Sequence, residues 1–269
     1  MKSDKVGPQS ATLSGAPGRH HLYRQTVLAL GVAGFALVIF HFFAAKVATL
    51  GPVSALTSVA IYLTAGGIVL ARILDFHPYS VFGWPNTITL LRTVLAALVA
   101  GYTAEISLWT LAPSAPLAWT FAVIASIAVI LDGVDGWLAR RIGPRSAFGA
   151  RFDMESDAFL IMTLSVLAVV LGKVGFWVLL IGGMRYLFVG ASYVFPWLDR
   201  PLPESMRRKA ICAVQAVALC LLAMPGVHGV VAAGIAAAAL ALIVFSFAVD
   251  TLWLHRNRER VGADGEVGP

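Results

Sequence analysis

Five of the chain's fourteen acidic residues crowd into LDGVDGWLARRIGPRSAFGARFDMESDA, residues 131–158: Asp132, Asp135, Asp153, Glu155 and Asp157. Asp132 and Asp135 are three residues apart, and Asp153 and Asp157 are four apart, so on helices each pair shares a face. Gly143-Pro144 between the pairs breaks the helix and lets the two ends pack side by side. Four carboxylates gathered in this way repel one another and are costly to desolvate, and divalent metal relieves both costs. Ligation by carboxylates alone suits Mg²⁺ or Mn²⁺, and no neighbouring His or Cys points to zinc. Gly136 and Ala139 keep one helix face bare, so that something flat or bulky can approach the backbone. Arg140 offers a planar fork to phosphate oxygens. Any one of these acids, taken singly, reads as a surface charge paired with an arginine; grouped at membrane helices, such residues mark a site.

The elements that must position them are membrane helices. The chain has 269 residues, 59% of them hydrophobic and only 13% charged, with a mean hydropathy of +0.82. A soluble domain needs more polar surface than this to cover its core. A span takes roughly 20 apolar residues. Eight candidate runs occur, at about 26–45, 52–73, 86–102, 117–134, 157–172, 174–198, 209–225 and 229–254. Gly51-Pro52, His77-Pro78, Gly172, Pro201 to Pro203 and Pro225-Gly226 punctuate them. The fold class expected is therefore all-α and polytopic. With the N-terminus in the cytoplasm, every Lys and Arg except Lys46, Lys173 and Arg185 falls on the cytoplasmic side, as the positive-inside rule requires. Both termini and the acidic stretch then face the cytoplasm. The net charge of +6 belongs to those loops and to anionic headgroups rather than to nucleic acid. Cys212 and Cys220 lie in one apolar run and read as packing residues. A transporter or channel would spread acids through the membrane depth, whereas here they sit at span ends or in loops.

The order Asp132-x2-Asp135-Gly136-x2-Ala139-Arg140-x8-Gly149-x3-Asp153-x3-Asp157 resembles the signature of the CDP-alcohol phosphotransferases (CDP-alcohol phosphatidyltransferases). Pro85-Asn86-Thr87-Ile88-Thr89-x2-Arg92 is similar to the motif that opens the family's first core helix. Lys209 and Gln215 match its Lys-x5-Gln pattern, with Ile211 and Cys212 in place of the more usual Lys and Thr. The resemblance implies a six-helix core over about 75–254. It would be preceded by a tail (1–25) and two extra N-terminal transmembrane helices (26–74), and followed by a tail (255–269). It also implies a chemistry: a CDP-linked donor, most often CDP-diacylglycerol, loses CMP as a small alcohol attacks the phosphate next to the lipid. Asp132, Asp135, Asp153 and Asp157 would hold Mg²⁺ or Mn²⁺, two ions per site. Asp153 and Asp157 would be catalytic, Asp157 as ligand or general base. Asn86, Thr89, Asp132, Gly136, Ala139, Arg140 and Gly149 would shape the site of the CDP moiety. Members of the family are typically homodimers.

Four cations remain as candidates for the acceptor's or the lipid's phosphate: Arg151 within the signature, Arg185 inside a span, and Arg208 and Lys209 in a basic cluster with Arg207. Tyr186 follows Arg185 where glycerophosphate-using relatives often carry Glu. The expectation is an integral membrane enzyme of phospholipid synthesis in a bacterial inner membrane. It would transfer a phosphatidyl group from CDP-diacylglycerol to a small alcohol, such as glycerol 3-phosphate. Two alternatives share the motif: donation of a phospho-alcohol head from a small CDP-alcohol to diacylglycerol, and a non-catalytic homologue.

Overall fold

A computed structural model describes residues 16–47, 50–109, 114–142, 146–203 and 205–257. Among them are eight α-helices and no strand: α1 (Ala16–Val47), α2 (Pro52–Phe76), α3 (Trp84–Trp109), α4 (Ala115–Ile142), α5 (Ala147–Val170), α6 (Leu179–Val194), α7 (Met206–Ala223) and α8 (Gly229–Arg256). Each of the eight apolar runs maps onto one helix. Six of these are long and apolar enough to cross a membrane, over Gly18–Lys46, Pro52–Phe76, Trp84–Leu108, Ala115–Gly133, Phe176–Val194 and Gly229–Arg256. By the same measure α5 and α7 fall short. Asp153, Glu155 and Asp157 lie in the N-terminal half of α5, and Arg207, Arg208 and Lys209 open α7.

The helix ends follow the punctuation. Pro52 sits in the first turn of α2, where its missing N–H costs nothing. His77, which precedes Pro78, leaves the helical region at φ −111°, ψ 110°. Gly83 adopts φ +78° just before α3. At the end of α5, Gly172 adopts φ +64°, while Lys173 N–H bonds Ala168 O at 3.0 Å and Gly172 N–H bonds Val169 O at 2.9 Å, a Schellman closure.

The chain divides into two compact units, Met1–Leu108 with Ile130–Asp157, and Trp109–Val129 with Ala158–Pro269. In the first, α3 is the central element: 67% of its apolar window is buried, against 11–28% in the other five candidate spans. Of the N-terminal helix pair, α2 packs on it through small and polar residues. A side chain at Gly101 would collide with Ser58 Oγ and with the backbone oxygen of Ser54. The Ser58 hydroxyl is shared between the carbonyls of Ser54 (2.8 Å) and Ala97 (3.0 Å). The Ser54 N–H donates to Glu105 Oε2 at 2.7 Å, so a carboxylate from α3 caps the positive end of α2. One turn after Ser58, the Tyr62 hydroxyl donates to the Leu30 carbonyl of α1. Such hydrogen bonds and close backbone approaches replace the hydrophobic effect as the drive for helix association in lipid.

In the second unit α7 and α8 pack together, with the Gln215 amide donating to Ala239 O at 2.8 Å. Lys173 Nζ donates to the carbonyls of Met224, Pro225 and Val227 at 3.1, 3.1 and 2.7 Å, closing the α7–α8 turn.

The α2–α3 seam gives a stability prediction. Gly101→Val should destabilise by about 1–3 kcal/mol through overpacking. Gly67→Ala, on the exposed side of α2 with nothing within 4 Å of the new methyl, should be neutral or slightly stabilising. Thermal unfolding of the two variants in one detergent checks the contrast.

Candidate active site

Three of the signature's four acids meet in the first unit. Asp132 is carried by α4, and Asp153 and Asp157 by successive turns of α5. One carboxylate oxygen from each lies within 4.8 Å of the others, and all three side chains are half-buried. Facing them from α3 is Arg92, only 1% exposed. Its Nη1 donates to Asp153 Oδ1 at 2.8 Å. Its Nη2 pairs with Asp132 Oδ1 at 3.1 Å and donates to Asp157 Oδ1. One planar guanidinium thus ties three carboxylates on two helices to a third, a geometry a lysine could not reproduce. A second link lies beside it, at the adjacent residue of each helix: the Thr93 hydroxyl donates to Thr89 O at 2.8 Å and lies 3.0 Å from Ser156 Oγ, which therefore donates to it.

Three carboxylates against one guanidinium leave a formal charge of −2 on this cluster. The described donors are oxygens alone, spaced so that a small closure brings them around a hard divalent ion. The residues present therefore fit Mg²⁺ or Mn²⁺ and do not fit a thiolate- or imidazole-bound metal.

Asn86 and Gly149 also come together. A Cβ at Gly149 would lie 2.7 Å from Asn86 Oδ1 and 3.1 Å from Ser146 Oγ, so the position has room only for glycine. Asn86 is held from behind, its amide donating to Phe82 O at 2.5 Å. Thr89 spends its hydroxyl on Pro85 O at 3.1 Å, within its own helix. Asp135, Gly136, Ala139 and Arg140 continue α4 towards Ile142, and their side chains fall outside the described residues. Arg151 is exposed on the first turns of α5.

The remaining phosphate candidates belong to the second unit. Arg185 sits half-buried in the middle of α6, and Lys209 is exposed on α7. Arg208 pairs with Asp250 Oδ1 at 3.2 Å and donates to Pro203 O. Arg207, on the same carboxylate at 2.5 Å, also donates to Ser246 O and Oγ at 2.7 and 2.9 Å. Much of the basic cluster is therefore engaged with α8.

Arg92 is the residue that sequence reasoning left without a role. It appeared there only as a motif position and a cytoplasmic charge. The available signal was physical: an arginine buried in the apolar run of α3 demands counter-charges, and the signature acids supply them. Arg92→Gln should cost about 3 kcal/mol, because it leaves the carboxylates unneutralised, and Arg92→Lys should recover part of this. Millimolar Mg²⁺ should raise the unfolding temperature of Arg92→Gln more than that of the wild type. Equal unfolding temperatures and equal Mg²⁺ responses for all three proteins would contradict the assignment.

The profile of the CDP-alcohol phosphatidyltransferase family matches residues 82–250, a segment that begins just before α3 and ends inside α8. No solved structure matches the chain. The matched segment is well over half of the 269 residues and contains Arg92 and all three converging acids, so the chain belongs to the CDP-alcohol phosphatidyltransferase family.

Proposed function

We propose that this membrane transferase moves a phosphatidyl group from CDP-diacylglycerol to a small alcohol and releases CMP. The observation that carries the reading is the convergence of Asp132, Asp153 and Asp157 on the buried Arg92. In this reading α5 and α7 also cross the membrane, giving eight spans. The two N-terminal helices (26–74) precede a core over 75–254. Both termini and the site face the cytoplasm of a bacterial inner membrane.

Asp132, Asp135, Asp153 and Asp157 would hold Mg²⁺ or Mn²⁺, whose charge when bound neutralises the diphosphate and stabilises the departing CMP. The other steps fall to the chain. Asn86 and the bare backbone at Gly149 admit the nucleotide end of the donor, with Thr89, Gly136, Ala139 and Arg140 completing its surroundings. Asp157 accepts the proton of the acceptor hydroxyl. The acceptor oxygen bonds to the phosphorus next to the lipid, the phosphoanhydride bond breaks, and its electron pair leaves on CMP. Arg92 holds Asp157 by one oxygen and fixes the direction of the carboxylate. For transfer to Asp157 to be efficient, the acceptor hydroxyl would itself be acidified in the field of the bound ions. Arg151, Arg185, Arg208 and Lys209 are the cations offered to a phosphorylated acceptor or to the lipid phosphates.

The test is CMP release from CDP-diacylglycerol in mixed micelles with Mg²⁺ or Mn²⁺. The panel is glycerol 3-phosphate, serine, inositol phosphate, inositol and phosphatidylglycerol, with Asp153→Asn as the blank. Release that depends on one acceptor and vanishes in the variant is the expected result. If that acceptor carries a phosphate, Arg185→Gln should raise its KM about tenfold, the loss of one charge-assisted hydrogen bond. CMP release only from a small CDP-alcohol with diacylglycerol would reverse the direction of transfer. No release from either donor would contradict an enzymatic role.

A further inference from the structure

His77 ends α2, five residues before the family-matched segment, and it is buried at 5% exposure. Both of its ring nitrogens are in use. Nε2 lies 2.8 Å from the carbonyl oxygen of Val81, which can only accept, so Nε2 carries the proton. Nδ1 lies 2.8 Å from Ser146 Oγ. Ser146 immediately precedes α5, and its Oγ accepts the Gly149 N–H at 2.9 Å as an N-cap. With that lone pair occupied and His77 Nδ1 unprotonated, the Ser146 proton points to His77. The bonds therefore run in one direction, from Gly149 N–H to Ser146 Oγ, from Ser146 O–H to His77 Nδ1, and from His77 Nε2–H to the Val81 carbonyl. Phe148 and Tyr79 close edge-on around the ring at centroid distances of 6.0 and 5.5 Å. Burial lowers the pKa of His77, the bond to the Val81 carbonyl opposing this in part, which favours the neutral ring that the chain of bonds requires.

This chain ends at Gly149, the position with no room beside Asn86. Asn86 is anchored on Phe82, whose N–H donates in turn to Gln25 Oε1 of α1 at 3.0 Å. The α1–α2 pair therefore grips both sides of the Asn86–Gly149 contact, one side through His77 and the other through Gln25.

We propose that His77 is a positioning residue for the nucleotide end of the site, and that through it the N-terminal helix pair is part of the catalytic apparatus. The Ser146 cap is oriented by His77, the cap sets the first turn of α5, and that turn sets the backbone at Gly149 against Asn86. The proposal rests on the reading of Asn86 and Gly149 as contacts of the CDP moiety.

Three substitutions separate the bonds. His77→Asn places an acceptor where Nδ1 lies and keeps the Ser146 link. His77→Gln places its amide where Nε2 lies and keeps only the Val81 link. His77→Phe fills the space and keeps neither. With CDP-diacylglycerol and the best acceptor, His77→Phe and His77→Gln should raise the donor KM about tenfold, the loss of one buried hydrogen bond, with kcat within about twofold. His77→Asn should stay near the wild type. Ser146→Ala should match His77→Phe, and the double variant should be no worse than Ser146→Ala alone. Amide exchange of the peptide at 146–150 should rise about tenfold in His77→Phe, whether or not donor is present. Donor KM unchanged in His77→Phe, losses that multiply in the double variant, or unaltered exchange at 146–150 would each overturn the proposal. Absence of CMP release by the wild type would strike the functional reading alone, because the exchange measurement still decides whether His77 holds the start of α5.

Discussion

A charged guanidinium inside a membrane-spanning helix is costly unless its charge is met on the spot, and so is a group of carboxylates at the membrane boundary. Here each cost is the remedy for the other. Arg92 is buried in α3 and touches three carboxylates from α4 and α5. Removing either side strands a charge in a medium that cannot solvate it. The cluster therefore fixes the angle and depth at which α3, the end of α4 and the start of α5 meet. Its residual negative charge and the spacing of its oxygens could hold a divalent cation.

The rest of the first unit keeps α3 where this cluster requires it. Gly101 lets α2 approach closely, the Ser58 hydroxyl bridges α2 and α3, and Glu105 satisfies a backbone N–H at the start of α2 that lipid would leave unpaired. Thr93 and Ser156, each next in sequence to a member of the ion pairs, add a second α3–α5 link. The Ser146 cap fixes where α5 begins, about two turns before Asp153. Gly149 is small because Asn86 Oδ1 and Ser146 Oγ already fill the space a side chain would take.

Much of this was legible in the sequence, for identifiable reasons. Hydropathy marks the membrane helices because lipid demands it along the whole length of a span. The four-residue spacing of Asp153 and Asp157 marks their shared face because helical periodicity is local, and the Gly143-Pro144 break in the sequence suggests that Asp132 packs beside them. What could not be read depends on distant partners. Arg92 counted as a cytoplasmic charge, since nothing within α3 names its counter-ions on α4 and α5. His77 read as a residue at the end of a span, because Ser146 lies 69 positions away. Arg207 and Arg208 read as a phosphate cluster, and only the fold brings Asp250 of α8 against them. Hydropathy also could not say that α5 is helical from Ala147, well before its apolar part, because a capping serine rather than an apolar run starts it.

The central claim is that the signature acids form a divalent-metal centre that meets the donor's diphosphate. Mn²⁺ binding followed by electron paramagnetic resonance tests it most directly, on detergent-purified wild type, Asp132→Asn and Asp153→Asn, each with and without CDP. The account predicts saturable binding in the wild type, tightened by CDP, and weakened about tenfold or more in both variants by loss of a carboxylate ligand. Mn²⁺ binding that is identical in all three proteins and indifferent to CDP would contradict it.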